Sequence, residues 1–282
     1  MTRLLLIAVC VGCSIAVSSA QPTFSARVDG VRADVLVVDG SRKPVRDLTA
    51  ADFEIRDNGV LQKVDVVSFG EIPPSVALAL DLSDSVAGAR LDQLRRATRA
   101  LAEALETRDQ SALLTFSQAV ALRCPMSANV ECVRSSLDSA VPAGQTSLVD
   151  ATFSGIVIGE SDVGRSLLMV FSDGMDTASY MPSALVLDAA RRSDVVAYAV
   201  STGSKMPEFL EELTNLTGGR VFETEQASDL TPIFRAILDE FRYRYLVTYT
   251  PTGVATEGWH KLEVRVKRSG ARVRARPGYQ GR

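Results

Sequence analysis

Three short stretches carry residues whose types and spacing could do chemistry. Asp81-Leu82-Ser83-Asp84-Ser85 follows directly on the apolar run Val76 to Leu80. Its D-x-S-x-S spacing places one carboxylate and two hydroxyls on one tight turn. Hard oxygen donors of this kind suit Mg²⁺, Ca²⁺ or Mn²⁺ and suit zinc or copper poorly. The competing reading is a plain polar turn, because Asp and Ser are common where a strand meets a helix N-terminus. Two further pieces follow in order. Gly144-Gln145-Thr146-Ser147-Leu148 precedes a helical stretch with Asp150 and Ala151, and Ser172-Asp173-Gly174 caps the apolar run Leu167 to Phe171. In an open parallel sheet, ligands bind at the carboxyl ends of the strands, where such loops lie.

Other chemistries find less support. The only histidine, His260, lies far along the chain from these stretches. That argues against Ser-His-Asp and Cys-His hydrolysis and against His-rich zinc sites. The net charge of -3 gives no footprint for nucleic acid. Haloacid-dehalogenase-like phosphotransferases place D-x-D-x-T after their first strand. Here Ser83 stands where the second Asp, the general acid, would be, and no partner lysine motif is visible. The chain therefore reads as a binding module rather than an enzyme, with no catalytic residue assigned.

The elements that must position these residues fall into three blocks. Residues 21–73 read as a β segment. Val31 to Val38 is rich in β-branched residues, Phe53 and Ile55 alternate with Glu54 and Arg56, and Asp57-Asn58-Gly59 is a hairpin turn. Pro73-Pro74 closes the block as a stiff linker. Residues 74–243 alternate buried-strand runs (Val76–Leu80, Ala112–Phe116, Leu167–Phe171, Val195–Val200) with helical periodicities. The last helix has Thr231 as cap, Pro232 at its first position and one apolar face, Ile233 to Phe241. This alternation implies an α/β fold, doubly wound and Rossmann-like, with a mostly parallel sheet and helices on both faces. Residues 244–282 return to β, and Arg272, Arg274 and Arg276 alternate with Val273 and Ala275. Strict alternation makes these arginines the solvated face of a hairpin, with a patch for an acidic partner as the alternative. Neither terminal block has enough strands to be stable alone, so the two are expected to pack into one small β-sandwich-like unit.

The chain has 282 residues, 46% hydrophobic and 23% charged, enough for a large core. Its first twenty residues read as an export signal. Arg3 is the only charge, Leu4 to Gly12 is a short apolar core, and Ser18 and Ala20 precede cleavage at Gln21. A retained anchor and a lipoprotein signal acylated at Cys13 are the alternatives. Removal of residues 1–20 leaves Cys124 and Cys132, which an oxidising compartment would pair; two free buried thiols are the other reading. The mature chain is thus placed in the periplasm, at the cell surface or in the medium, with no spanning segment.

The order and contexts of the three stretches resemble the von Willebrand factor A family over about residues 74–243. In that family the corresponding residues form a metal-ion-dependent adhesion site (MIDAS). The resemblance implies that Ser83 and Ser85 ligate a divalent cation directly and Thr146 directly or through water. Asp81 and Asp173 would act mainly through water. Mg²⁺ is favoured, with Ca²⁺ and Mn²⁺ as alternatives. A carboxylate from a partner protein completes the coordination in many members. A scaffold whose metal serves only stability is the second implied role. Asp84 and Asp176 would add negative charge around the site. The flanking Val45-Arg46-Asp47-Leu48, Asp52-Phe53, Asp57-Asn58-Gly59, Tyr249-Thr250-Pro251 and Arg276-Pro277-Gly278-Tyr279 resemble a bacterial subgroup first noted in acidobacteria.

Overall fold

The computed structural model describes residues 30–160, 164–202, 206–224 and 230–281. The export signal expected at 1–20, with Cys10 and Cys13, lies outside the described residues. The first block forms β1 (Val31–Val38), β2 (Phe53–Asp57), β3 (Val60–Gln62) and β4 (Val64–Phe69). Alternation in β2 buries Phe53, Ile55 and Asp57 and leaves Glu54 and Arg56 half-buried. Asn58 and Gly59 turn β2 into β3 with φ of 47° and 84°, the left-handed pair that a two-residue hairpin requires.

Pro74 is not a linker residue. It opens β5 (Pro74–Asp81), opposite Arg165 of the neighbouring strand. Proline is tolerated at the first position of a strand. Every residue of β5 is buried. After it come α1 (Ala89–Ala104), β6 (Gln110–Phe116), β7 (Val120–Ser127), α2 (Val130–Ser135), α3 (Leu148–Glu160), β8 (Arg165–Ser172), α4 (Ser183–Arg192), β9 (Val196–Ser201), α5 (Glu208–Thr217), β10 (Val221–Glu223) and α6 (Leu230–Arg242). α6 starts one residue before Thr231, so Pro232 lies in its first turn, where a missing N–H breaks no helical bond.

These strands build a sheet in the order β10-β9-β8-β5-β6-β7. Every pair is parallel except β6–β7, an antiparallel edge that the sequence did not announce. Alternate residues of each strand feed opposite faces, as pleating dictates. Val76, Leu78 and Leu80 pack with Leu94, Leu101 and Phe234 on the α1 and α6 side. Ala77 and Ala79 pack with Leu148, Val186 and Leu210 on the side of α3, α4 and α5. Helices thus cover both faces. Cys124 of β7 and Cys132 of α2 form a disulfide.

The final block gives β11 (Arg244–Tyr249), β12 (Gly258–Val266), β13 (Arg272–Arg274) and β14 (Gly278–Gly281). Strands from both ends of the chain interleave in two antiparallel sheets, β13-β1-β11-β4 and β14-β12-β2-β3. They share one apolar core that includes Val35, Val37, Ile55, Val247 and Leu262. Phe53 and Tyr245 meet edge-on across it, with centroids 5.3 Å apart.

Buried arginines join this unit to the large sheet. Arg165, first in β8, donates from Nε to Asp34 Oδ1 at 2.8 Å and from Nη2 to the Phe241 carbonyl at 3.2 Å. Arg244, first in β11 and fully buried, donates to the Tyr198 hydroxyl at 2.8 and 3.1 Å, to the Asp34 carbonyl at 3.0 Å and to the Gly218 carbonyl at 2.5 Å. Burial pushes the Tyr198 hydroxyl above its usual pKa, so it stays protonated and donates to Glu240 at 2.7 Å. The alternating arginines differ from expectation at their last member, which lies beyond β13. Arg276 is buried, not solvated, and donates to Asp194 and to the Arg191 carbonyl. The turn back toward β14 carries it inward, which strict alternation could not foresee.

One glycine lets the connection from α5 to β10 lie against β9. A Cβ on Gly219 would lie 1.8 Å from the Ala197 carbonyl oxygen, a backbone atom of β9. Gly219→Ala is therefore expected to destabilise the chain by more than about 3 kcal/mol, the upper end of overpacking costs. Urea denaturation of the purified variant checks this, and a midpoint near wild type would refute the close approach.

Candidate metal centre

The chain leaves β5 through α1 on one face of the sheet and reaches β8 through α3 on the other. The two crossovers diverge beside the carboxyl end of β5. Divergence of this kind opens the crevice in which α/β sheets bind ligands. All three stretches singled out in the sequence lie there.

Backbone bonds tie the loops together. Leu82 N donates to the Phe116 carbonyl of β6 at 2.7 Å. Ala143 N donates to the Leu82 carbonyl at 2.9 Å, and Asp84 N to the Gly144 carbonyl at 3.1 Å. Thr177 N and Ala178 N both donate to the Thr146 carbonyl, at 2.9 and 3.1 Å. The first loop is thus fixed to the second, and the second to the third.

Asp81 ends β5 and is fully buried. Its Oδ1 accepts from Ser83 N at 2.8 Å, and its Oδ2 accepts from Ser172 Oγ at 2.8 Å. Burial pushes its carboxyl above the usual range despite these donors, and the Asp173 charge adds to the effect. Ser83 Oγ lies 3.1 Å from Ser85 Oγ, which donates to Asp173 Oδ1 at 2.7 Å. Ser83, Thr146 and Asp173 are buried, whereas Ser85 and Asp84 are exposed. Thr146 Oγ1 faces Gly174, lying 3.9 Å from where a Cβ there would be. Asp81, Ser83, Ser85 and Asp173 form one bonded chain of groups, and Thr146 flanks it from the second loop.

The arrangement gathers oxygen donors, of which only two are carboxylates. Among the described residues no group of three or more His, Cys, Asp or Glu could hold a metal. Any cation here would meet hydroxyls chiefly, the donor set of a hard ion. Asp176 takes no part. It accepts from Val149 N at 3.2 Å and from Ser179 Oγ at 2.5 Å, capping the start of α3. Asp150 accepts from Tyr180 N and Met181 N and holds the third loop against that helix.

Sequence reasoning missed one group. Arg90, the second residue of α1, donates from Nη1 to Asp173 Oδ2 and to the Ser85 carbonyl, the latter at 3.0 Å. The signal available was a basic residue in the first turn of a helix, the end that favours anions.

Comparison with known proteins agrees with this architecture. The sequence matches the description of the von Willebrand factor type A domain over residues 75–236. No curated protein matches it. The von Willebrand factor type A protein of Catenulispora acidiphila superposes with a TM-score of 0.56 at 10% identity, covering 91% of this chain and 75% of that one. Proximal thread matrix protein 1 from the mussel byssus, solved with a zinc-occupied MIDAS motif, gives 0.55 at 13% identity over 66% of this chain and 49% of its own. The PilB minor pilin from Streptococcus sanguinis gives 0.51 at 12% identity over 61% of this chain and 62% of its own. The chain spans about half of the mussel protein and under two thirds of the pilin. At these identities the structures speak for the fold. The sequence match covers more than half of the chain and coincides with the six-stranded sheet and its helices, and on that ground the chain belongs to the von Willebrand factor type A domain family.

Proposed function

We propose that this chain is an exported protein-binding module that uses a divalent cation to engage an acidic group of a partner protein. In this reading Ser83 and Ser85 hold the cation directly, Thr146 directly or through water, and Asp81 and Asp173 mainly through water. Mg²⁺ is the favoured ion, with Ca²⁺ or Mn²⁺ as alternatives. A partner Asp or Glu fills the remaining position. The observation that carries this reading is the pair of hydroxyls Ser83 Oγ and Ser85 Oγ, 3.1 Å apart, with Ser85 also bonded to Asp173. Neighbouring ligands of an octahedral ion with bonds of about 2.1 Å lie about 3.0 Å apart, so the side chains fit such an ion.

Electrostatics favour the same outcome. Hydroxyls and water leave a bound cation with uncompensated charge, and an incoming carboxylate is drawn to it at short range. The zinc-occupied MIDAS motif of the mussel protein supports a divalent ion as a class. The signal-like residues 1–20 and the Cys124–Cys132 disulfide support export to an oxidising compartment. Among the described residues no helix is long and apolar enough to cross a membrane. The flanking β segments favour the bacterial subgroup first noted in acidobacteria.

The test is affinity capture of partners from the native envelope fraction, with Mg²⁺ and with EDTA. Capture is expected in Mg²⁺ and lost in EDTA. Capture that persists in EDTA counts against the mechanism and favours a scaffold whose metal serves only stability.

A further inference from the structure

We propose that Arg90 is a built-in competitor of the metal, holding Asp173 from the solvent side so that the centre binds its divalent cation weakly and exchangeably. The proposal rests on the metal reading above. The Asp173 side chain is fully buried, whereas that of Arg90 is one third exposed. The guanidinium therefore covers the carboxylate at the mouth of the crevice. Asp173 is divided between two masters: Oδ1 takes the Ser85 hydroxyl, and Oδ2 takes Arg90 Nη1. The same Nη1 also donates to the Ser85 carbonyl at 3.0 Å. Arg90 is thus bound to both the hydroxyl loop and the third loop.

Position argues that this contact is not a by-product of helix chemistry. Arg90 occupies the first turn of α1, where the helix dipole disfavours a cation. It does not pair with Asp92 of the same turn, which instead accepts from Arg95. Charge states the consequence. Asp81 and Asp173, acting mainly through water, bring at most two negative charges near a divalent ion whose direct ligands are neutral. Arg90 adds one positive charge, so the ion meets a repelling neighbour and the loaded centre stays cationic. Repulsion between like charges at close range weakens ion binding and strengthens the pull on an incoming carboxylate.

The experiment is calorimetric titration of the full chain with MgCl₂ and MnCl₂ alone, comparing wild type, Arg90→Gln and Arg90→Lys, with Asp81→Ala as the control that removes the centre. Arg90→Gln is expected to bind both ions on the order of tenfold tighter or more, and Arg90→Lys to stay near wild type. Melting in EDTA adds a second readout. Arg90→Gln should melt lower than wild type without metal, because Asp173 loses its partner, yet gain more on adding Mg²⁺. A purely structural role would lower the metal-free melting temperature and leave the affinity unchanged or weaker. That result, with wild type binding normally, overturns the competitor alone. Binding by Arg90→Gln but not by wild type supports it, and binding by neither overturns the metal reading along with it.

Discussion

Asp81→Ala is expected to erase the stabilisation that Mg²⁺ confers on the wild-type chain. A ligand present at a hundredfold over its dissociation constant stabilises the folded state by about 2.7 kcal/mol, and the variant should lose all of that increment. Asp81 ends β5 and sets the first loop through Ser83 N, while its other oxygen holds Ser172 of the third loop. Its loss therefore removes charge and disturbs two of the three loops. The metal-free stability should fall as well, because the buried donors Ser83 N and Ser172 Oγ lose their acceptor. The informative quantity is the rise in melting temperature between EDTA and excess Mg²⁺. Ser83→Ala should behave alike. A variant whose melting temperature still climbs with Mg²⁺ would contradict the assignment.

Asp57→Ala should be the most destabilising change in the terminal β unit, at about 3 kcal/mol or more, because it leaves buried donors unpaired at about 1–3 kcal/mol each. Asp57 is fully buried at the end of β2 and accepts three hydrogen bonds. His260 Nδ1 of β12 lies 2.7 Å from Oδ1; Tyr249 of β11 and Tyr279 of β14 reach Oδ2 at 2.9 and 2.7 Å. One carboxylate thus fastens four strands drawn from both ends of the chain. Burial pushes both tyrosine hydroxyls well above their usual pKa. Raised folded-state values contribute stability that is intact below pH about 10 and declines as pH rises above it, as the unfolded tyrosines ionise first. Urea denaturation should accordingly show a wild-type plateau through neutral pH and a fall above about 10. Asp57→Asn, which keeps the shape and one acceptor, should fall between wild type and Ala. A cost below about 1 kcal/mol for Ala would mean that the clamp is not what holds the strands.

The contrast between these two sites shows what a sequence makes legible. The metal centre was readable because each loop follows a buried strand, and because D-x-S-x-S, Gly144 to Leu148 and Ser172 to Gly174 are each local. Strand and helix alternation likewise revealed the sheet, since burial on both faces writes itself as continuous apolar runs such as Val76 to Leu80. Long-range partnerships left no such trace. Asp57 resembled a turn residue, and nothing local ties it to His260, which meets it from the far end of the chain. Arg165 and Arg244 carry no local mark of their role, though both are buried against Asp34. β7 was missed because Arg123 and Pro125 interrupt its pattern, as an edge strand allows. Arg90 is near the motif in sequence, but only folding shows that its side chain turns back onto Asp173.

The pairing of β4 with β11 has a consequence for how the molecule is assembled. Phe69 lies opposite Tyr245, so residues 70–244 leave and re-enter between adjacent strands. The family domain is nested inside the β unit as a guest inside a host. Among the described residues, β1 forms its ladders with β11 and β13, and β2 reaches across to β12 besides its own hairpin. During synthesis from the N-terminus, the host's first half therefore waits for its partners until the guest is complete. Non-local ladders of this span form late, and β1 remains an unpaired apolar edge in the meantime, the kind of surface that invites misassembly. The order of events is written into the topology: guest first, host last.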